Sequence, residues 1–364
     1  MLTFLEHAGI RDKGENEMDT KCWIVDNIVE KLKNNPQIKQ AAKKLIQNEV
    51  VAFPTETVYG LGGNAGSDEA VEKIFTAKGR PSDNPLIIHI ADRGQMDSFV
   101  TDLPEVALQL MDAFWPGPLT LILQKKEQAL SEKATAGLGT VGVRMPDHPV
   151  ALAILKECGL PVAAPSANSS GKPSPTTAEH VAADLNGKIA GIVDGGPTGV
   201  GVESTVLDCT SPVPVILRPG GVTKEQLEEV IGRIEVDPAL MGAETKPKSP
   251  GMKYRHYAPE APLYLVAGGI EGVQRVAQKY RQEGKRVGIL ATDESAPLYE
   301  AELVLACGER SRLETVAASL YDTLRLFNDH QLDLILSEMF PEEGVGHAVM
   351  NRLMKAAGNK VITD

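Results

Sequence analysis

KGRPSDNPLIIHI, residues 78–90, joins the end of a predicted helix to a predicted buried strand. Asp68 is a typical helix cap, and Val71, Ile74 and Phe75 lie on one face of the helix that follows it. The final residues of the stretch are apolar apart from one histidine, as in a buried strand. The loop between them contains two cations and two prolines, so its backbone has few conformations. The stretch predicts a helix-to-strand transition with charged side chains beside the strand.

Strands and helices alternate along the rest of the first 235 residues. The predicted strands are 50–53, 86–90, 119–123, 141–144, 162–164 and 191–193, and the predicted helices are 36–49, 68–77, 104–113, 148–158 and 177–185. Several strands follow each other without a helix between them. This order favours an α/β fold with a twisted, open, mixed sheet over a strict doubly wound fold.

Residues 236–262 contain five prolines and form the predicted linker between two domains. We predict a first domain over 18–235 and a smaller, Rossmann-like α/β domain over 263–364, where strands and helices alternate regularly. The second domain has no Gly-x-Gly-x-x-Gly sequence, so no dinucleotide is predicted there. The linker includes SPGMKYRHYAP (249–259), whose aromatic and basic residues are unusual for an inert spacer.

The composition excludes several classes of protein. The chain has 364 residues and a net charge of −12, which argues against a dominant basic surface for nucleic acid. Its four cysteines lie far apart, so neither a zinc ribbon nor a disulfide framework is predicted, and a reducing, cytoplasmic location is expected. No apolar run approaches the roughly 20 residues that cross a bilayer. Residues 1–17 differ in character from the rest, and we expect a non-native or disordered extension with translation starting at Met18.

Polar residues repeatedly follow or precede the predicted strands. Lys78 and Arg80 suit a triphosphate, because arginine can hold phosphate oxygens with two N–H groups and lysine acts as a point charge. Ser166 and Asn168, two positions apart after a strand, suit a carboxylate or a ribose. Each cluster alone also has an ordinary interpretation: a helix end, a surface loop or, for His89, a core histidine.

The combination of these residues is more informative than any one of them. Arg144, Ser204 and Arg218 lie at further strand ends, while a Gly-x-Ser-x-Gly motif is absent from the sequence. A site with arginines, a lysine and hydroxyls but no obvious nucleophile fits catalysis by positioning and charge stabilisation, as in phosphoryl and nucleotidyl transfer.

Several segments together resemble the YrdC family in its two-domain form, the L-threonylcarbamoyladenylate synthases. The matching segments are PTETVYGLG (54–62), KGRPSDNPLIIHI (78–90), FWPGPLTLIL (114–123), VGVRMPDHP (141–149), PSANSSGKPSPT (165–176), GVESTVLD (201–208), LRPG (217–220) and SPGMKYRHYAP (249–259). The resemblance extends from about Met18 to the C-terminus. It implies a YrdC-like open sheet around a large concave cavity.

The resemblance also implies a reaction and a set of site residues. Threonine, bicarbonate and ATP would give threonylcarbamoyl-AMP and pyrophosphate, and a partner complex would pass the product to tRNA. Residues expected to hold threonine are Thr57, His89, Arg144 and Ser204. Residues expected to hold ATP or the intermediate are Arg80, Asn84, Thr140, Ala164, Ser166, Asn168, Ser174, Arg218 and Tyr254. Lys78 and Arg80 are expected to be catalytic, and the linker is expected to close as a lid.

Magnesium is expected to be held mainly through the ATP phosphates, and no protein ligand is assigned to it. Three other functions compete with this interpretation. One is a module that binds double-stranded RNA or tRNA without catalysis, and direct tRNA binding stays open. Another is the carbamoyltransferase of hydrogenase maturation, whose zinc-finger cysteines are missing here. The third is a scaffold that recruits partners through the C-terminal domain.

Overall fold

The computed structural model describes residues 19–241 and 256–363. The first part is an α/β domain. Its strands are β1 (Lys21–Ile24), β2 (Val51–Phe53), β3 (Gly60–Asn64), β4 (Ile87–His89), β5 (Leu119–Gln124), β6 (Thr140–Arg144), β7 (Val162–Ala163), β8 (Gly191–Asp194), β9 (Thr205–Asp208), β10 (Val215–Arg218) and β11 (Glu235–Val236). Its α-helices are α1 (Val29–Leu32), α2 (Pro36–Ile46), α3 (Asp68–Lys78), α4 (Glu105–Phe114), α5 (Glu132–Thr135), α6 (Pro149–Cys158), α7 (Ala178–Leu185) and α8 (Lys224–Ile231).

Local sequence explains where the helices begin and end. Helix α2 begins after Asn35, whose side chain accepts hydrogen bonds from two backbone N–H groups of the first turn, and Pro36 occupies a position where no N–H is needed. Helix α3 ends at Lys78 because Gly79 adopts the left-handed conformation that terminates helices (φ 60°). The predicted helix-to-strand transition at 78–90 is therefore present.

The strands form one mixed, eleven-stranded sheet in the order β1-β8-β2-β3-β7-β4-β6-β5-β9-β10-β11. β4 is parallel to β6, and both β3 and β4 are antiparallel to β7. The parallel register places His89 opposite Arg144 at the carboxyl ends of β4 and β6. The prediction of an open, mixed α/β sheet is confirmed, and its register brings two predicted site residues together.

The C-terminal part is a smaller α/β domain with an all-parallel sheet. Its elements are β12 (Leu263–Val266), α9 (Gly269–Gln282), β13 (Val287–Ala291), β14 (Leu303–Ala306), α10 (Leu313–Leu326), β15 (Leu334–Glu338), α11 (Gly346–Ala356) and β16 (Val361–Ile362). The strand order is β14-β13-β15-β12-β16, and every pairing is parallel. The Rossmann-like prediction is confirmed.

An apolar cluster joins the two parts of the chain. Val58 and Val202 of the first part pack with Tyr257, Tyr321 and other buried residues of the C-terminal part. Gly201 (φ 77°) lies directly against helix α10, where an added Cβ would be 2.3 Å from the carbonyl oxygen of Ala317. The close approach requires glycine, so the contact depends on the sequence at this position.

Some elements were not predicted. The missed elements are β1, α1, β3, α5, α8, β11 and β16. β3 has the sequence GLGGN, which lacks the β-branched residues typical of strands. The expectations for residues 1–17 and for most of the linker concern positions outside the described residues. Within the described part of the chain, no helix is long and apolar enough to cross a membrane.

Candidate active site

A pocket that is partly open to solvent lies where several strand ends of the first domain meet the start of the C-terminal part. Ten predicted site residues line it: Thr57, Arg80, His89, Arg144, Ala164, Ser166, Asn168, Ser174, Ser204 and Arg218. These residues come from six separate segments of the sequence. The fold therefore brings together most of the side chains that the sequence singled out.

One wall of the cavity is built from the β2–β3 turn and the ends of β4 and β6. Thr55 organises the turn, because its hydroxyl lies 2.9 Å from the Thr57 hydroxyl and donates to Val58 O at 2.7 Å. Arg144 is buried and forms a 2.6 Å ion pair with Glu56. The ion pair fixes the guanidinium of Arg144 at the end of its strand.

His89 is a neutral group in this wall. Burial and the charge of Arg144 lower the pKa of His89 to about 3. Its Nδ1 lies 3.3 Å from the carbonyl oxygen of Ile87, which assigns the proton to Nδ1 and makes Nε2 a hydrogen-bond acceptor. His89 can therefore accept a hydrogen bond from a substrate without carrying a charge.

The opposite wall contains the segments around Ser174, Ser204 and Arg218. Arg218, at the end of β10, donates to the backbone oxygen and the hydroxyl of Ser204 at 2.8 and 3.1 Å. The hydroxyl of Ser174 donates to Glu203 at 2.6 Å. Gly220 makes this packing possible, since a Cβ there would lie 2.3 Å from the Glu203 carbonyl oxygen.

Lys78 supports the loop after β7 instead of lining the cavity. Its Nζ donates to the backbone oxygens of Ser166 and Asn168 at 2.5 and 2.7 Å. Burial and the charge of Arg80 lower the pKa of Lys78. Ser166 in turn donates to the side-chain oxygen of Asn168 at 2.6 Å, so these two residues meet as their spacing suggested.

Three further expected residues are placed differently. Asn84 is buried but does not line the cavity among the described residues. Thr140 begins β6 while Arg144 ends it, which separates the two by ~13 Å along the strand. Tyr254 lies outside the described residues. The roles expected for Lys78, Asn84, Thr140 and Tyr254 stay predictions.

The sequence reasoning missed several cavity residues. Glu203 was given no role, although it accepts a hydrogen bond from the predicted residue Ser174 in the wall, and His256 and Tyr257 line the cavity from the end of the linker. Burial and the charge of Arg80 lower the pKa of His256 to about 4. The unusual composition of segment 249–259 was the signal for the last two residues, but it did not distinguish them from Tyr254.

The acidic residues near the cavity are engaged with the protein itself. Glu56 is paired with Arg144, and Glu203 accepts hydrogen bonds from Ser174, Tyr321 and Arg352. Across residues 19–241 and 256–363, no group of three histidine, cysteine or acidic side chains is arranged to hold a metal ion.

Comparison with known proteins shows the family. A model of the Sua5, YciO and YrdC proteins, described as "Telomere recombination", matches residues 43–220. The threonylcarbamoyl-AMP synthase of Bacillus subtilis is 62% identical over 95% of this chain and 100% of the relative. The chain belongs to the Sua5/YrdC family. The threonylcarbamoyl-AMP synthase of Pyrococcus abyssi is 48% identical, over 93% of this chain and 99% of its own.

The match to Sua5 proteins includes the second domain. A model described as "Threonylcarbamoyl-AMP synthase, C-terminal domain" matches residues 222–358. The crystal structure of P. abyssi Sua5 complexed with L-threonine superposes with a TM-score of 0.88 at 46% identity, covering 95% of this chain and 100% of that one. This chain therefore shares its two-domain architecture with a structurally characterised relative.

Proposed function

We propose that this chain synthesises L-threonylcarbamoyl-AMP from L-threonine, bicarbonate or CO₂, and ATP, with release of pyrophosphate. The proposal is supported by relatives of that name that match nearly the full chain and by a relative crystallised with L-threonine. The observation that carries it is the convergence of Arg80, Arg144 and Arg218 on one cavity that also contains a neutral histidine. A cationic cavity with hydroxyl donors suits several anionic substrates bound together.

The first proposed step takes place at the wall that contains Thr57, His89 and Arg144. The amine of threonine must be neutral to attack CO₂, which forms an N–C bond and, after loss of a proton, a carbamate. In the site, Arg144 would bind the threonine carboxylate, while Thr57 and the Nε2 atom of His89 would contact its polar groups. A neutral His89 can accept a hydrogen bond from the uncharged amine, which is the form that attacks CO₂.

The second step joins the carbamate to the nucleotide. A carbamate oxygen would attack the α-phosphorus of ATP, and the bond from that phosphorus to the pyrophosphate oxygen would break. Arg80 and Arg218, which line the cavity beside Ser166 and Ser174, would hold the phosphates and stabilise the charge on the leaving group. Magnesium would enter as part of the ATP complex, since the nearby carboxylates are already paired.

We further propose that the enzyme acts in the cytoplasm and that its product passes to a complex that modifies tRNA. The product is a mixed anhydride, which water hydrolyses readily, so direct transfer would limit its loss. Binding of tRNA by this chain itself is not part of the proposal.

Pyrophosphate release tests the proposed activity. Release should require ATP, threonine and bicarbonate together, because the carbamate is the nucleophile. Omission of threonine or bicarbonate should reduce the rate to background. Release at the full rate without threonine would contradict the proposal.

A further inference from the structure

We propose that the C-terminal domain positions one wall of the cavity through three side chains, Tyr321, Arg325 and Arg352. This wall is formed by the segments around Ser174, Ser204 and Arg218, and it is called the nucleotide wall because Ser174 and Arg218 are expected to hold ATP. Each one donates a hydrogen bond to a residue adjacent in sequence to a predicted substrate-binding residue. This role for the second domain rests on the function proposed above.

The first contact joins helix α11 to two segments of the wall. Arg352, with no exposed surface, donates from Nε to Glu203 at 2.8 Å and from an η nitrogen to the carbonyl oxygen of Pro219 at 2.8 Å. Glu203 precedes Ser204, and Pro219 follows Arg218. One guanidinium therefore fixes the two neighbouring segments relative to each other.

The second and third contacts come from helix α10. The hydroxyl of Tyr321 donates to Glu203 at 2.8 Å, and Arg325 donates to the carbonyl oxygen of Pro173 at 2.5 Å. Pro173 precedes Ser174, whose hydroxyl bonds the other oxygen of Glu203. All three segments of the nucleotide wall are thus attached to the C-terminal domain.

The charge of Glu203 makes these contacts necessary. Burial by itself would raise the pKa of this carboxyl, but the charges of Arg352 and Arg218 hold it at about 2. A buried carboxylate without partners is strongly unfavourable, so Glu203 keeps its position only while its donors are present. Two of those donors belong to the C-terminal domain.

The wall that contains Thr57, His89 and Arg144 contacts the C-terminal domain through apolar packing of Val58, without hydrogen bonds of this kind to its strands in the described part of the chain. Among the described residues, no hydrogen bond connects the C-terminal domain to β4 or β6, which carry His89 and Arg144. Ser204 also has a separate anchor in the first domain, because its hydroxyl lies 2.7 Å from that of Thr120. Loss of the three contacts should therefore weaken the binding of ATP more than the binding of threonine.

The test compares two matched tyrosines. Tyr321→Phe removes the hydroxyl that donates to Glu203, a buried glutamate of the nucleotide wall. The control, Tyr299→Phe, removes a hydroxyl that donates at 2.9 Å to Glu338, a buried glutamate of the C-terminal domain away from the wall. Arg352→Lys and Arg310→Lys form a second pair, since Arg310 bonds Glu338 and a backbone carbonyl, although it is partly exposed. Dissociation constants for ATP and for threonine are measured separately by calorimetry on the full chain, together with the Tm.

Tyr321→Phe should weaken ATP binding by about fivefold, and Arg352→Lys should weaken it further, with threonine binding changed by less than about twofold. The two control variants should bind both ligands as the wild type does. Equal weakening of both ligands, or the same result for Tyr321→Phe and Tyr299→Phe, would overturn the positioning role. Failure of the wild type to bind ATP would instead overturn the proposed function and this inference with it.

Discussion

Two basic side chains in the site, His89 and Lys78, are less basic than their types usually are, because both are buried. The pKa of His89 is lowered by burial and by Arg144, and that of Lys78 by burial and by Arg80. Their hydrogen bonds differ. His89 contacts one carbonyl oxygen and lines the cavity, whereas Lys78 donates to two carbonyl oxygens of the loop after β7. The two residues therefore lead to different predictions.

His89 should make the fold less stable as the pH falls from about 6.5 towards 3. The pKa of His89 is about 3 in the folded chain against 6.5 for an ordinary histidine, so the unfolded state binds one more proton in this range. The contribution of His89 to the free energy of unfolding is then highest above pH 6.5 and decreases on acidification. In His89→Gln, the free energy of unfolding measured with urea should decrease between pH 6 and pH 5 by about 1 kcal/mol less than it does in the wild type. An unchanged pH dependence would mean that His89 titrates normally.

Lys78→Met should lower stability as well as turnover. The substitution removes hydrogen bonds from a charged donor to the Ser166 and Asn168 carbonyls, and each such bond contributes about 1.5–3 kcal/mol. Urea unfolding should report a loss of about 2 kcal/mol or more. If turnover falls while the free energy of unfolding stays the same, Lys78 acts on the substrate and not on the loop.

At the scale of elements, the turn after β10 determines the geometry of the nucleotide wall. Gly220→Ala should be destabilising, because the new Cβ would lie 2.3 Å from backbone atoms of residues 203–205. We expect a loss of about 1–3 kcal/mol in the free energy of unfolding and weaker ATP binding. Gly139→Ala is the control, since no atom lies within 4 Å of its added Cβ, and should change stability by less than about 0.5 kcal/mol. Equal stability of the two variants would show that the turn adapts easily.

The sequence predicts elements better than it predicts the contacts between them. Helix α3 and strand β4 follow from an apolar face and a run of apolar residues, although the helix cap is Ser67 and not Asp68 as predicted. Strand β3 could not be predicted from a local pattern, because its glycines are needed for close packing. A Cβ on Gly62 would lie 2.6 Å from the ring of Phe53. Local pattern contains no information about such a tertiary constraint.

The same reason explains which site residues were found. Arg144 and Arg218 could be identified because arginines and hydroxyls recur together at several predicted strand ends and lie in segments that resemble the family. Glu203 could not, since its partners Tyr321 and Arg352 lie 118 and 149 positions later in the chain. The contacts that give Glu203 its role form only in the folded molecule.

At the scale of the whole molecule, an apolar cluster and buried ion pairs, Arg352 with Glu203 and Arg325 with Asp184, join the two domains. Val58 and Val202 pack with the C-terminal domain, and Tyr257 stacks on Tyr321 with ring centroids 5.1 Å apart. Arg352 lies over the ring of Tyr257 at 5.8 Å from its centroid. The cavity is therefore a property of both domains, although the catalytic chemistry is proposed for residues of the first.

The central claim is that the cavity joins threonine, one carbon from bicarbonate and the adenylate of ATP. The most direct measurement is mass spectrometry of the product formed from ATP, threonine and ¹³C-bicarbonate. The account predicts threonylcarbamoyl-AMP that contains one ¹³C atom, formed together with pyrophosphate. A threonyl adenylate without the labelled carbon, or no adenylate at all, would contradict it.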